Sequence, residues 1–185
     1  MHELILGGQK SGKSRTAEAR AAQWLGVDGH EAVLIATALA ADAEMRERIA
    51  RHRRERAVRV PGLATVEEPR DLSAALHRRC AAHRLVVVDC LTLWLTQQSM
   101  PPSGAGADRV ELAAEIEQLL LALRAAAGPV VLVSNEIGFG VTPLSAGTRR
   151  FVDALGRLHQ ALAEVCDRVT LMVTGCELRV KETRP

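Results

Sequence analysis

An α/β fold, a mostly parallel sheet with helices on both faces, is predicted by three observations. Short apolar runs alternate with helix-like stretches, the runs are unbroken rather than alternating, and the first run feeds a glycine-rich loop that opens a helix. Runs at 4–6, 33–36, 85–88, 130–133 and 169–173 have the length of buried strands. A strand with one wet face would alternate polar and apolar residues, so continuous runs imply cover on both sides. Helices are predicted over 13–25, 42–56, 70–83, 108–126 and 148–166, with another beginning near Leu91. Asp42 and Asp108 stand where a side-chain oxygen would cap the first free amides of their helices. The segment 101–106, PPSGAG, reads as a surface excursion rather than a domain boundary, and no repeat of fixed period is visible. One domain spanning 1–185 is therefore expected, burying roughly 70% of the surface of the unfolded chain.

Composition narrows the partners. The only aromatic residues are Trp24, Trp94, Phe139 and Phe151, so there is little on which to stack bases, and no nucleic-acid partner is expected. A net charge of +2 is close to balance and argues neither for a polyanion partner nor for an acidic surface. Cys80, Cys90, Cys166 and Cys176 form no C-x-x-C pair and have no histidines at zinc-ligand spacing, which fits a reducing, cytoplasmic compartment. The start MHELILGG lacks a basic leader before a long apolar stretch, and Arg124, Gly128 and Pro129 interrupt the apolar region 119–133. Neither a signal peptide nor a membrane span is expected.

Directly after the first apolar run comes Gly7-Gly8-Gln9-Lys10-Ser11-Gly12-Lys13-Ser14, a match to G-x-x-x-x-G-K-[ST] between a strand and a helix. Glycines let backbone amides turn inward around a phosphate chain, and the helix that follows presents its positive end to the same charge. Lys13 would reach the β and γ oxygens, and Ser14 would ligate Mg²⁺. The run at 85–88 ends in Asp89, the carboxylate such a site needs for its metal, and the same residue can also cap the helix beginning near Leu91. These parts define a Mg²⁺-nucleotide site without defining a reaction.

The helix at 42–56 is unusually basic. At helical spacing Met45, Ile49, His52 and Arg56 share a face, which sets an imidazole beside an apolar stripe. Two readings stand at this point. One is a solvated helix with Glu44–Arg48 and Glu47–Arg51 ion pairs that happens to contain a histidine. The other is a nucleophile among arginines, since an imidazole with an ordinary pKa of about 6.5 can attack phosphorus while the guanidinium groups neutralise the phosphates.

Six segments together resemble the bifunctional adenosylcobinamide kinase / adenosylcobinamide-phosphate guanylyltransferase family of cobalamin biosynthesis. They are GGQKSGKS (7–14), IAT (35–37), DAEMRERIARHRRER (42–56), TVEEP (65–69), VVVDCLTLWL (86–95) and VLVSNEIGFGVTP (131–143); the stretch 149–175 is similar to the family's last helix and strand. The likeness runs in order along nearly the whole chain. It implies a RecA-like P-loop NTPase fold and two successive reactions. ATP or GTP phosphorylates the side-arm hydroxyl of adenosylcobinamide, and GTP then gives GMP to the product with release of pyrophosphate. The resemblance also implies a guanylyl-histidine intermediate on His52, a homotrimer, and nucleotide contacts at Gly7, Gly8, Gln9, Lys10, Ser11, Gly12, Lys13, Ser14, Ala36, Thr37, Ala38, Arg53, Arg54, Glu55, Arg56, Glu67 and Asp89. The arginines suit phosphate, and Glu67 either accepts from the guanine N1 and N2 donors or is a surface acid at a strand end. Asn135 and Glu136, after the run at 130–133, are expected at the same sheet edge, facing substrate or the waters of the metal. Exposed apolar residues within 91–95 are the expected subunit contact.

The chain departs from the family pattern in places. Leu63 stands where a tryptophan is common, the stretch from His52 to Thr65 is slightly long, and His159 occupies an expected asparagine position. Among apolar neighbours on the last helix, His159 reads as a packed histidine. Two other readings of the chain remain: a P-loop small-molecule kinase without guanylyl transfer, and a RecA-like ATP-binding module on DNA. Single-domain length, few aromatics and no basic arm speak against the second.

Overall fold

The computed structural model describes residues 1–39, 43–99 and 109–183. The helix starts expected at Asp42 and Asp108 and the excursion at 101–106 lie outside the described residues. The elements run β1 (His2–Gly7), α1 (Lys13–Leu25), β2 (Glu31–Ala36), α2 (Ala43–Arg59), β3 (Leu63–Glu67), α3 (Leu72–Arg79), β4 (Arg84–Asp89), α4 (Leu91–Ser99), α5 (Arg109–Arg124), β5 (Val130–Val133), α6 (Ala146–Val165), β6 (Arg168–Val173) and β7 (Cys176–Glu182). The strands form one seven-stranded sheet in the order β3-β2-β4-β5-β1-β6-β7, parallel except where β7 returns antiparallel on β6. In this RecA-like order, β5 separates the strand that feeds the glycine-rich loop from the strand that ends in Asp89. The fold class is the one the apolar runs predict.

Burial on both faces explains those runs. Val86 and Val88 of β4 point into one apolar cluster, and Leu85 and Val87 into another on the opposite face; Val130 and Leu132 of β5 divide from Val131 and Val133 in the same way. The first cluster is closed by Leu72 and Leu76 of α3, Leu91, Trp94 and Leu95 of α4, Leu119 and Leu123 of α5, and Leu155, Leu158 and Leu162 of α6. Ala17 and Ala21 of α1, with Val60, cover the other face. Small alanines let α1 lie close to the sheet beneath the glycine-rich loop.

Several expectations need correction. The predicted strands omit β3 and β7, which form the two edges of the sheet and carry LATVE and CELRVKE, short mixed sequences without a continuous apolar run. An edge strand buries too little to need an apolar run. The β6–β7 turn is Thr174-Gly175, with φ of +51° and +85°, so a threonine takes the left-handed place where asparagine is the usual signal. Helix α3 is shorter than expected because Asp71 caps it, accepting from the Ala74 amide at 3.1 Å, and the backbone turns extended at Cys80. Finally, the apolar residues of 91–95 do not form an exposed patch: Leu91, Trp94 and Leu95 are fully buried in the core of this one chain. The apolar side chains that do stand in water include Phe139, Val141 and Leu144, each more than 80% exposed, in the loop after β5. Among the described residues, no helix is long and apolar enough to cross a membrane.

Candidate active site

Parallel register assembles the site. Across the sheet, Glu67 pairs with Ala36, Ala36 with Asp89, Asp89 with Val133 and Val133 with Ile5, so the ends of four strands stand in one row with Ile5 of β1. The glycine-rich loop leaves β1 two residues beyond Ile5 and rises over the same carboxyl edge, the usual ligand edge of an open α/β sheet.

Two glycines are required there by geometry. At Gly7, with φ of +152°, a Cβ would lie 2.6 Å from both the Met172 carbonyl and the Ser11 hydroxyl. Gly12 takes φ of +106° as the residue before α1. No side chain caps α1, so its first amides are left for a ligand anion, the arrangement in which helix N-termini hold phosphate. Lys13 is buried, and its Nζ donates to the Gly8 carbonyl at 2.7 Å across the loop. Burial pulls its pKa down from the ordinary lysine value, with Cys90 and Asp89 opposing. The Ser14 hydroxyl donates to Asp89 Oδ1 at 3.5 Å, which brings the two predicted metal-binding side chains together. Burial raises the Asp89 pKa, and the nearby Arg56 and His52 counter it.

Helix α2 lies over this edge. Ile49, His52 and Arg56, the face expected from helical spacing, turn toward the cavity; the fourth expected member, Met45, has a side chain outside the described set. Within the helix, among the described residues, Arg51 pairs with Glu55 at 4.0 Å and Arg59 with Glu55 at 3.4 Å, each an i,i+4 pair. Arg56 differs from its neighbours. It is 5% exposed and sits between Glu18 of α1 at 3.3 Å, Thr65 of β3 at 3.4 Å and Asp89 of β4 at 3.6 Å. Arg59 reaches the second Glu18 oxygen at 2.8 Å. Glu18, itself buried, is thus the counter-charge that fastens the histidine-bearing helix to the helix of the glycine-rich loop. Sequence reasoning missed it; the one signal was an acid among the core-facing alanines Ala17 and Ala21. Arg53 and Glu67, for which the resemblance implies nucleotide contacts, pair with each other at 3.2 Å in the open, both more than half exposed.

A cavity of about 780 Å³, within the range of small-molecule sites, collects most of these groups. Of the residues named from the sequence, Gln9, Lys10, Ser11, Gly12, Lys13, Ser14, Ala36, Ala38, His52, Arg53, Arg56, Glu67 and Asp89 line it, as does Asn135. Gly7, Gly8, Thr37, Arg54, Glu55 and Glu136 do not. Thr37 is fully buried, and its hydroxyl donates to the Cys90 carbonyl at 2.7 Å while accepting from the Cys90 amide at 2.8 Å. Its side chain therefore holds the end of β4 in place. Among the described residues, no three His, Cys, Asp or Glu side chains gather as a metal cluster, so a metal here would rest on few protein ligands.

A family model described as cobinamide kinase / cobinamide phosphate guanyltransferase matches residues 3–180. The chain belongs to that family. It is 46% identical over 181 residues to the bifunctional adenosylcobalamin biosynthesis protein CobP of Pseudomonas aeruginosa, covering 98% of each chain. Its identity to the bifunctional adenosylcobalamin biosynthesis protein CobU of Escherichia coli is 34% over 186 residues, covering 96% of this chain and 98% of that one. Among solved structures, the flagellar accessory protein FlaH from Methanocaldococcus jannaschii superposes with a TM-score of 0.52 at 11% identity, over 98% of this chain and 78% of that one. At that identity the likeness is one of fold alone. The cobinamide kinase / cobinamide phosphate guanyltransferase assignment thus rests on sequence along the whole sheet, from β1 into β7.

Proposed function

We propose that the chain phosphorylates adenosylcobinamide with ATP or GTP and then transfers GMP from GTP to adenosylcobinamide phosphate, giving adenosylcobinamide-GDP and pyrophosphate. One observation carries this reading beyond family membership: His52 faces the same cavity as Lys13, Ser14 and Asp89. A nucleotide held by the glycine-rich loop would then lie within reach of an imidazole.

In the first reaction the side-arm hydroxyl oxygen attacks the γ-phosphorus, its proton leaves to solvent, and the bond to the β-phosphate oxygen breaks to release the diphosphate. In the second, an imidazole nitrogen of His52 attacks the α-phosphorus of GTP. The bond to the bridging oxygen breaks and pyrophosphate leaves; a phosphate oxygen of adenosylcobinamide phosphate then attacks the same phosphorus, and the N–P bond breaks to regenerate the imidazole. Lys13 and the first amides of α1 hold the phosphate charge. Arg53 is available to phosphate because its exposed pair with Glu67 is worth only about 0–1 kcal/mol, and its release frees the Glu67 carboxylate for guanine. Arg54 and Glu55 lie off the cavity, and Arg56 is committed to Glu18 and Asp89.

Ser14 and Asp89 suit Mg²⁺: both offer hard oxygens and they already touch, Asp89 Oδ1 facing Ser14 while Oδ2 faces Arg56. Bound there, the ion would neutralise phosphate oxygens. The reading includes a single domain, small-molecule substrates without nucleic acid, a cytoplasmic setting and a homotrimer. Exposed Phe139, Val141 and Leu144 supply an apolar surface for contact between copies, and light scattering at several concentrations tests the assembly.

Incubation with α-labelled GTP and Mg²⁺ tests the histidine. An acid-labile, base-stable protein-bound label is expected in the wild type and none in His52→Ala. Phosphorylation of adenosylcobinamide by a wild-type protein that never takes up label would overturn the guanylyl-histidine; absence of both products would overturn the whole reading.

A further inference from the structure

Behind Asn135 lies a run of polar side chains that the two reactions leave without a role. His159, buried on α6, has its Nε2 2.8 Å from the Ser134 hydroxyl and its Nδ1 3.6 Å from a Glu136 carboxylate oxygen. The fully buried Ser134 hydroxyl is 3.1 Å from the Thr92 hydroxyl on α4, which accepts from the Asn135 amide at 2.8 Å. The other Glu136 oxygen accepts from the Gly138 amide at 2.5 Å. The same short segment is tied to the strand of the glycine-rich loop, the Ser134 amide donating to the Ile5 carbonyl at 3.0 Å and the Glu136 amide to the Gly7 carbonyl at 2.9 Å.

Donor and acceptor rules orient this run in one direction. At 3.6 Å the contact with Glu136 is electrostatic rather than a hydrogen bond, and a bare nitrogen there would turn its lone pair toward the carboxylate, so the nitrogen facing Glu136 carries the imidazole proton. Nε2 is then a bare acceptor and takes the Ser134 proton. Ser134 has no second proton, so Thr92 donates to Ser134 and accepts from the Asn135 amide. The Cys90 thiol, also within reach of Thr92, is a far weaker acceptor than a hydroxyl. Burial lowers the His159 pKa, with Glu136 opposing, and an uncharged ring is what this directed chain requires.

We propose that His159, as the Nδ1-protonated tautomer, is a positioning residue that sets the Ser134-Asn135-Glu136 segment against the glycine-rich loop through Ser134, Thr92 and Glu136. The inference rests on the reading of the cavity beside Asn135 as the reaction site. Three elements from distant parts of the chain, α4, the end of β5 and α6, meet in this chain of bonds. A ring turned over by 180° about Cβ–Cγ would set Cε1 against Ser134 and Cδ2 against Glu136, so neither contact would survive. The tautomer is therefore a property of the segment as well as of the histidine.

Two measurements on the full-length protein test it. In ¹⁵N-imidazole NMR of the wild type at pH 7.5, the His159 signal, assigned by its loss in His159→Gln, is expected to show protonated Nδ1 and bare Nε2. The Nε2-protonated tautomer or an imidazolium would overturn the proposal whatever the enzyme catalyses, so this readout is separate from the proposed function. In steady-state kinetics of the kinase reaction, His159→Leu is expected to lower kcat about 10–100-fold, as small displacements in a reacting site do, with the nucleotide KM within about threefold of wild type. His159→Gln, whose amide oxygen can take the Ser134 proton, is expected to recover at least threefold in kcat over His159→Leu. A His159→Leu kcat within threefold of wild type after correction for folded fraction, or a glutamine variant no better than the leucine, would overturn it.

Discussion

Replacing Arg56 with methionine separates two accounts of that residue. The resemblance makes it a nucleotide contact, whereas the structure makes it the buried link between α2, α1 and β4. Its guanidinium is 6% exposed and its partners Glu18 and Asp89 are 4% and 17% exposed. Removing one member of a buried ion pair costs about 3–5 kcal/mol, since the remaining charge stays buried without its counter-ion. Here Glu18 keeps Arg59 at 2.8 Å, and methionine fills much of the vacated volume, so the lower end applies: about 3 kcal/mol. For a chain of this size that corresponds to a fall of about 6–12 °C in Tm. Urea unfolding followed by the fluorescence of the buried Trp94 reads the loss directly, with an unchanged m-value expected. A cycle with Glu18→Gln should give a coupling of about 1–3 kcal/mol. Arg53→Met, at an exposed pair, should cost under about 1 kcal/mol in the same assay. If Arg56→Met instead stays within 1 kcal/mol of wild type while nucleotide affinity collapses, the linking role is wrong and the phosphate role stands.

Four further outcomes follow from single features. Lys13→Arg and Lys13→Ala should both lower kinase kcat by about 10²–10³-fold, because a planar guanidinium does not replace the ammonium folded against Gly8; steady-state turnover checks this. Gly128→Ala should lose about 3 kcal/mol in urea unfolding, since its Cβ would stand 2.0 Å from the Ala81 carbonyl oxygen, an unyielding backbone atom. At pH 8, one thiol should react quickly with a chromogenic disulfide, the exposed Cys176, while burial pushes Cys80 to about 11, Cys166 to about 12, and Cys90 upward as well. His159 has its pKa lowered by burial, so below about pH 6.5 the unfolded chain binds a proton that the folded one refuses. Stability must then fall with acidification from pH 6.5 toward the folded pKa, and His159→Asn should flatten that slope in urea titrations run between pH 5 and 7.

What could be read in advance follows from how local each cause is. The glycine-rich loop and α1 are specified by eight consecutive residues, and α1 matches its expected bounds, Lys13–Leu25. The five interior strands announce themselves by burial on both faces, whereas β3 and β7 do not, because an edge strand takes its identity from the neighbour it pairs with. The shared face of Ile49, His52 and Arg56 needs only helical spacing. What Arg56 touches needs Glu18, 38 residues earlier, and what His159 touches needs Ser134, 25 residues earlier, and Thr92 beyond it. No single-sequence pattern carries contacts of that range, so part of the cavity lining was readable and the polar supports behind it were not.

The scarcity of lysine gains a physical meaning from the same contacts. Of 24 basic residues only Lys10, Lys13 and Lys181 are lysines. Lys13 donates to the Gly8 carbonyl, and Lys181 donates to the Ala163 and Cys166 carbonyls at 2.7 and 2.8 Å, where α6 ends. Both ammonium groups meet backbone oxygens, in narrow places suited to a compact donor. The buried glutamates Glu3 and Glu18 are met by arginines: Glu3 by Arg20 through two nitrogens, and Glu18 by Arg56 and Arg59. A planar fork matches two carboxylate oxygens, whereas a point charge on a flexible stem fits a carbonyl or a phosphate chain. In a chain that answers carboxylates with arginine, a lysine retained beneath the glycine-rich loop is matched to a ligand of the second kind, which is the chemistry a nucleotide triphosphate presents.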